Sequence, residues 1–474
     1  MSATDFEVIV IGSGAAGLSA ALSAVEQGCR EVLVVESEGV VGGSSRLAGG
    51  VIMGSGSRLQ RAAGIDDPPG AMFREYMALN AWDVAVGPVE RWAARSGETI
   101  DWLVEHGVKF FDRLIYSGEE RVPRGHCVDG GGQALINALH SSCRRQGVQV
   151  ALGRRVERLL IEDGTVRGVV SGGESLTAAA VVVATGGFGA NPQLLAEHYP
   201  SAWIPGWTWY IGADGARGDA LKFAAEVGAQ TTGKDRGLRT LDPGLAKLNE
   251  AFLPGWTVLL DADGRRFCDE TAPYGLLDTL VRARGDRAYV VFDDAALRPP
   301  ADKAEKYRDA YKQVWPNHAP FKPKNYTADM IDEAVKNGKV HAADDIAALA
   351  EKLGLPAEHL CGEIDRYNSL VEAGVDSDFG KAGKFLVPIS TPPFYAVDVR
   401  PVTVNHTGYG LRIDEYGRVI GRNGRVIEGL YAAGECTGGI AGVTYMGSGS
   451  SLASACGFGR IAGEDAGRRA RKAA

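Results

Sequence analysis

Six residues near the N-terminus, Gly12-Ser13-Gly14-Ala15-Ala16-Gly17, constrain this chain more than any other feature. They follow at once on a short strand-like run, Glu7-Val8-Ile9-Val10-Ile11, and precede Leu18 to Gln27, which reads as a helix. A second strand, Glu31 to Val35, ends in Glu36. Strand, glycine turn, helix, strand and terminal acid together make one βαβ unit, which calls for a parallel sheet. The glycines permit a tight turn and let a pyrophosphate approach the helix N-terminus, where free N–H groups and the helix dipole favour anions. Glu36 stands where a carboxylate accepts from ribose hydroxyls. The turn alone does not separate one dinucleotide from another.

The rest of the chain has to complete that sheet. Gly147 to Val150 and Arg167 to Val170 read as short strands, with a turn at Glu162-Asp163-Gly164, and lead into the buried strand Ala180 to Gly187. From about residue 196 the texture changes. Trp203, Trp207, Trp209 and Tyr210 cluster as a candidate wall for an apolar pocket, and a Lys/Asp-rich helical region runs through 301–372. Buried-strand texture returns near Pro392-Pro393-Phe394-Tyr395 and closes with Tyr431-Ala432-Ala433-Gly434-Glu435, a glycine/serine loop and a final helix. A discontinuous nucleotide-binding domain with a second domain inserted into it accounts for this order. The basic tail from Arg468 to Ala474 reads as solvated.

Composition excludes several classes of function. A net charge of −8 disfavours nucleic acid and anionic membrane as partners, since both recruit basic surfaces. No apolar run approaches the roughly 18 residues of a membrane span, and no signal peptide precedes Asp5, so a cytoplasmic protein without a transmembrane segment is expected. The seven cysteines are scattered and form no C-x-x-C, so no metal site is expected.

Three glycine-rich segments resemble those of the fumarate reductase and 3-ketosteroid dehydrogenase flavoprotein superfamily. They are Gly42 to Gly50, Ala184-Thr185-Gly186-Gly187-Phe188 and Tyr431 to Glu435 with Gly438-Gly439; Gly218-Asp219-Ala220 and Asp376 to Lys381 match its inserted domain. The resemblance implies an α/β protein. A Rossmann-like, glutathione-reductase-type FAD-binding domain covers 1–195 and 395–474, and an inserted α+β substrate or cap domain covers 196–394. It also implies FAD contacts at Gly12, Ser13, Gly14, Ala15, Ala16, Glu36 and Ser37. Further contacts are implied at Gly43, Ser44, Ser45, Gly49, Gly50 and Val156, at Ala184, Thr185 and Gly186, and at Gly434, Glu435, Ser450, Ser451 and Leu452. Membrane members of the superfamily attach FAD through a histidine near the position of Ser44-Ser45. None stands here, so the FAD is expected to be non-covalent.

Within that superfamily the C-terminal loop decides the reaction. Soluble fumarate reductases clamp two carboxylates with arginines; here Tyr445 occupies the arginine's place, and Arg298 falls one residue out of register after Phe292. Tyr445-x-Gly447-x-Gly449 resembles the Y-x-G-x-G loop of 3-ketosteroid Δ1-dehydrogenases, in which the tyrosine hydroxyl and second glycine N–H bind a ketone oxygen. Met446 and Ser448 stand where that loop has prolines. Gly264 to Tyr274 resembles the same family's G-x-R-F-x-x-E-x-x-x-Y element, which makes Tyr274 the proton-abstracting base. Tyr116 is a candidate for an additional catalytic tyrosine, and His406 aligns with a substrate-side histidine of fumarate reductases.

The expected function is therefore desaturation α,β to the carbonyl of a small apolar cyclic ketone, a steroid or a cyclohexanone type. Hydride passes to the flavin, and oxygen or a carrier accepts the electrons. Donors at Tyr445 and Gly449 stabilise the developing enolate, an effect worth about 3 kcal/mol each. The alternatives are a soluble reductase of an unsaturated acid and a non-catalytic flavin-binding sensor.

Overall fold

The computed structural model describes residues 4–118, 120–310 and 323–473. The apolar run after the N-terminus forms the strand Phe6–Ile11, central in a sheet of eight strands. It pairs in parallel with Val32–Val35 on one side and Glu174–Val183 on the other. Gln149–Ala151 and Val426–Ala432 extend these parallel pairings outward. The segments on either side of Glu162-Asp163-Gly164 form a hairpin, Val156–Glu162 against Thr165–Ser171, with Asp163 and Gly164 both left-handed at the turn. Strands 8–11, 32–35 and 180–183 carry almost no exposed surface, as a sheet covered on both faces demands.

One face is covered by the helices Ala15–Glu26 and Ser450–Ala473, which join the two ends of the chain. Their approach depends on small residues. A Cβ on Gly459 would lie 2.3 Å from the Ala16 carbonyl oxygen, and one on Gly463 would lie 2.2 Å from that of Ala20. The basic tail is not merely solvated: the final helix runs through it to Ala473, with Ala470 buried and Arg469 Nε donating to Ala179 O at 3.3 Å. Ala474 lies outside the described residues.

The inserted region builds a second sheet around the long strand Phe394–Thr407. Gly237–Asp242, Ala288–Asp293 and Val340–Ala343 pair antiparallel with it, and Trp209–Tyr210 pairs in parallel. That strand belongs to the second sheet along its whole length, so the second sheet reaches to Thr407, past the expected bound at 394. Conversely, the helix Asp219–Val227 buries Ala220, Phe223 and Ala224 in the core of the first domain, inside the span expected for the second. Helices occupy much of 301–372, interrupted by the strand Val340–Ala343; residues 311–322 lie outside the described chain. Among the described residues no helix is long and apolar enough to cross a membrane. No group of three or more His, Cys, Asp or Glu among them could hold a metal ion.

Candidate active site

The glycine turn sits at the C-terminal edge of the first sheet. Gly12 has φ +104°, and a Cβ there would come within 2.3 Å of the Ala184 carbonyl oxygen, so the turn and the end of the Glu174–Val183 strand touch backbone to backbone. Glu36 is buried beside them. One of its oxygens accepts from Ser13 N (2.8 Å) and Ser13 Oγ (2.6 Å), the other from Glu38 N (2.8 Å) and Ser37 Oγ (3.2 Å). The helix that follows starts at Gly14 with no acid in its first turn; Ala15 N donates to Ser45 Oγ at 3.1 Å, and the positive end of the helix faces the cleft, where it favours an anion. Thr185 Oγ1 is buried on the same cleft without a hydrogen-bond partner. A glycine cradle, a helix end without an acid and an unmatched hydroxyl fit an elongated dinucleotide.

Most of the residues expected to bind that group do line this one cleft. Gly12, Ser13, Gly14, Ala15, Ala16, Glu36 and Ser37 meet Gly43, Ser44, Ser45, Val156, Ala184, Thr185 and Gly186 there, and Gly434, Glu435, Ser451 and Leu452 close it. Three do not. Gly49 and Gly50 line a neighbouring cleft, because the short strand Val51–Met53 carries them away from the dinucleotide side. Ser450 lines neither; its hydroxyl turns back to Gly447 O at 2.9 Å, inside the loop.

Other lining residues lie outside the expected contacts. Glu38 Oε1 accepts from Gly215 N at 2.9 Å, and Ser44 Oγ accepts from Ala213 N at 3.0 Å and bonds Tyr210 OH at 2.9 Å. A strap from 210 to 216 thus closes over the cleft. Arg154 and Asp219 lie on its wall. Asp219 falls in the Gly218-Asp219-Ala220 segment and Arg154 lies two residues before Val156, whereas only an expectation of where the chain returns to the first domain could have found the strap.

The neighbouring cleft is shared by the two domains and opens into the first through Ser44, Ala48, Asn405, Ser451 and Leu452. Tyr274, Tyr445 and Gly449 come together on it, although they lie far apart in the sequence. Tyr274 is the first residue of the helix Tyr274–Arg282, and its hydroxyl bonds Ser448 Oγ at 2.9 Å. Its ring stacks on that of Tyr445 with centroids 6.0 Å apart and planes 27° from parallel. Gly275 makes this possible: a Cβ there would sit 2.2 Å from the Tyr445 carbonyl oxygen. Gly449 has φ +95° and lies against Val51, where a Cβ would fall 2.8 Å from backbone carbon.

A relay runs from this pair towards the dinucleotide cleft. Tyr445 OH lies 3.0 Å from Ser451 Oγ and accepts from Ser451 N at 3.1 Å; Ser451 Oγ lies 3.3 Å from His406 Nδ1. Burial lowers the His406 pKa against the opposing pull of Glu435, so the imidazole is neutral at pH 7. Burial raises both phenols: that of Tyr274 beyond the ordinary tyrosine range, with the Tyr445 hydroxyl adding to it, and that of Tyr445 despite its bonds from Ser451. At rest both are protonated.

The structure also moves some candidates off the site. Tyr116 is 55% exposed and lines neither cleft; the adjoining residues approach the C-terminal loop through backbone, with Ser448 N donating to Ser117 O at 2.9 Å. Arg298 is at the surface, paired with Asp294 and Asp332. The tryptophan cluster walls neither cleft: Trp209 Nε1 donates to Asp242 Oδ2 at 2.5 Å, and Trp207 stacks under Arg400. Among the described residues no arginine lines the second cleft, and its one charged side chain is Lys324.

Behind Tyr274 the R-F-x-x-E element is a buried ion cluster. Arg266 pairs with Glu270 at 2.8 Å and Asp376 at 2.7 Å, and Lys381 Nζ lies 3.1 Å from Glu270. Burial alone would raise the Glu270 pKa, but Lys381 and Arg266 bring it below the usual carboxylate range. The cluster ties the Asp376–Lys381 loop to the segment that delivers Tyr274.

The sequence pattern of the family described as FAD binding domain matches residues 7–452. Fumarate reductase (cytochrome) of Shewanella frigidimarina is 30% identical over 98% of this chain and 78% of its own length. The 3-oxosteroid 1-dehydrogenase of Mycolicibacterium smegmatis is 25% identical over 98% of both chains. Among solved structures, 3-ketosteroid-Δ4-(5α)-dehydrogenase of Rhodococcus jostii RHA1 in complex with 4-androstene-3,17-dione superimposes with TM-score 0.79 over 98% of both chains, at 28% identity.

Proposed function

The chain belongs to the FAD binding domain family, among FAD-dependent oxidoreductases acting on CH–CH groups, and from that premise we propose that it desaturates a cyclic ketone α,β to its carbonyl. The observation that carries this reading is the pair of stacked phenols beside the cofactor cleft, on a wall without arginine among the described residues. A dicarboxylate needs charge-matched donors; a ketone oxygen needs neutral ones. The related structure that holds 4-androstene-3,17-dione supports a cyclic ketone as the substrate class.

Bound FAD supplies the two-electron acceptor. The chain's own residues bind and polarise. The Tyr445 hydroxyl and the Gly449 amide hold the carbonyl oxygen and lower the cost of enolate character by about 3 kcal/mol per donor. Ser451 and His406 set the Tyr445 hydroxyl proton, since Ser451 N donates to Tyr445 OH and leaves its own proton to give. Tyr274 exchanges a proton with the carbon next to the carbonyl.

A specific observation favours a second reading, in which the same groups run the other way. A base must lose its proton first, whereas the buried Tyr274 phenol holds it. A protonated phenol is suited to deliver a proton to an unsaturated carbonyl compound as it is reduced, and relatives of this chain include fumarate reductase (cytochrome) and digoxin reductase. Anaerobic titration separates the two. Bleaching of the oxidised flavin by saturated cyclic ketones supports desaturation. Reoxidation of dithionite-reduced enzyme by the matching enone, without bleaching by the ketone, supports reduction. Response to fumarate alone would refute the ketone assignment.

A further inference from the structure

The substrate cleft has a second polar wall, opposite in character to the tyrosines and unused by the chemistry described above. It begins at Asn405, where the two clefts join. Asn405 Nδ2 lies 2.8 Å from Thr403 O, an atom that can only accept, which fixes the orientation of this amide. The same Nδ2 donates to Thr240 Oγ1 at 3.1 Å, so the Thr240 hydroxyl has its own proton to give, and it gives it to Asn249 Oδ1 at 2.9 Å. Asn249 must therefore present its oxygen inward, and the NH2 edge of its amide is what remains to serve the cleft.

Lys324 stands beside it. Its Nζ donates to the carbonyl oxygen of Asn249 at 3.1 Å, which holds the ammonium next to that amide with a backbone atom, not a carboxylate, as partner. The root of the side chain is anchored. The buried carboxylate of Glu250 accepts from Lys324 N at 3.0 Å and Asn325 N at 2.9 Å, and Asn325 Nδ2 donates to Leu248 O at 2.8 Å. Both Asn249 and Lys324 line the cleft. Two groups that can only donate, one of them charged, meet on a wall otherwise free of charge among the described residues.

We infer that Asn249 and Lys324 form an anion subsite in the substrate cleft, which takes a carboxylate that the substrate carries away from its reacting carbonyl. This rests on the ketone reading of the same cleft and narrows it: the substrate is a cyclic keto acid, its ketone at Tyr445 and its acidic side chain at Lys324. A hydrocarbon tail leaves both donors unmatched and a second ketone offers them one neutral oxygen, whereas a carboxylate accepts from each and matches the ammonium charge.

The test uses the FAD-loaded protein, 3-(4-oxocyclohexyl)propanoic acid and its methyl ester, with affinities measured by calorimetry and flavin absorbance followed in parallel without oxygen. The acid binds about tenfold more tightly than the ester, as a charge-assisted contact requires. Lys324→Gln removes that preference, bringing the acid to the affinity of the ester. Asn249→Asp keeps the acceptor for Thr240 but replaces the donor edge with a charge, so it weakens the acid alone. Equal affinities in the unaltered protein, or a preference that survives Lys324→Gln, overturn the subsite. Acid-selective binding with no flavin response in either redox direction overturns the ketone reading and leaves the subsite standing.

Discussion

Where the first strand ends, Gly12 turns at φ +104° with the Ala184 carbonyl in the space a methyl group would fill; where the inserted region meets the C-terminal loop, Tyr274 and Tyr445 lie ring over ring. The first region turns on backbone, and around Gly12 its side chains are short: serines, alanines and the Glu36 carboxylate, which accepts from Ser13, Ser37 and Glu38, with Glu38, Asp219 and Glu435 further along the cleft. The second is made of side chains that converge from residues 249, 274, 324 and 445. A site made of backbone tolerates no added Cβ and has little side-chain chemistry to lose. A site made of side chains keeps its shape after conservative replacement and loses its chemistry. Gly12→Ala is the severest test of that contrast. Left-handed strain and the 2.3 Å contact together cost at least ~3 kcal/mol, so the purified variant should have lost its yellow colour, with FAD affinity down more than about 100-fold. Retention of tightly bound FAD would show that the turn yields, and the contrast would fall.

Backbone sites leave a local trace in a sequence, which is why the first region was legible and the second only in part. The glycines of residues 12–17, the continuous apolar run Val32–Val35 and the acid at Glu36 are fixed by neighbours within one βαβ unit, so reading along the chain finds them. The hairpin at Asp163-Gly164 was readable for the same reason. The sheet to which Phe394–Thr407 belongs was not: it looks like a strand from either sheet, and only its partners Gly237–Asp242 and Ala288–Asp293 assign it. Tyr116 failed because an aromatic after Phe110-Phe111 carries no record of which face it turns to. The 210–216 strap reaches the cofactor cleft across a long sequence separation, and nothing in its own neighbourhood marks it as a cofactor contact.

The next tests act on the side-chain cleft. On the proposed roles, Tyr445→Phe loses the donor to the carbonyl oxygen and should lower the rate of flavin reduction by about 100-fold or more; Tyr274→Phe loses the proton-transfer group and should lower it by about 100-fold. FAD affinity stays within about twofold in both, because neither residue lines the dinucleotide cleft. Rapid-mixing absorbance and a flavin titration read the two quantities separately. A Tyr274→Phe enzyme that desaturates at full rate removes Tyr274 from the mechanism. The pH profile sharpens the point further. Burial raises the Tyr274 pKa, so the phenolate that accepts a proton is scarce at pH 7 and grows as pH rises. Desaturation should climb about tenfold per pH unit from roughly pH 7 to 9 with no plateau, while reduction of an enone, which uses the protonated phenol, stays flat across that range. A plateau in the desaturation rate near pH 7 would mean that substrate or cofactor, rather than burial, sets that proton.

The smallest effect lies where the contrast between the clefts is least complete. The strap over the cofactor cleft is held by side chains: Tyr210 OH bonds Ser44 Oγ at 2.9 Å, and that oxygen also accepts from Ala213 N at 3.0 Å. The Tyr210 ring is itself fixed by glycines, since a Cβ on Gly189 would fall 2.3 Å from it. Tyr210→Phe keeps that packing and deletes one hydrogen bond, a loss of about 1 kcal/mol. FAD should leave the variant roughly fivefold faster, measured by trapping released flavin with an excess of an apo-flavoprotein. Turnover at saturating FAD should be unchanged, because Tyr210 lines neither cleft at the reacting end. A release rate equal to that of the unaltered protein would make the strap a passive surface and the cofactor cleft a backbone site throughout. Faster release with unchanged turnover would show that the insertion retains the cofactor as well as presenting the substrate.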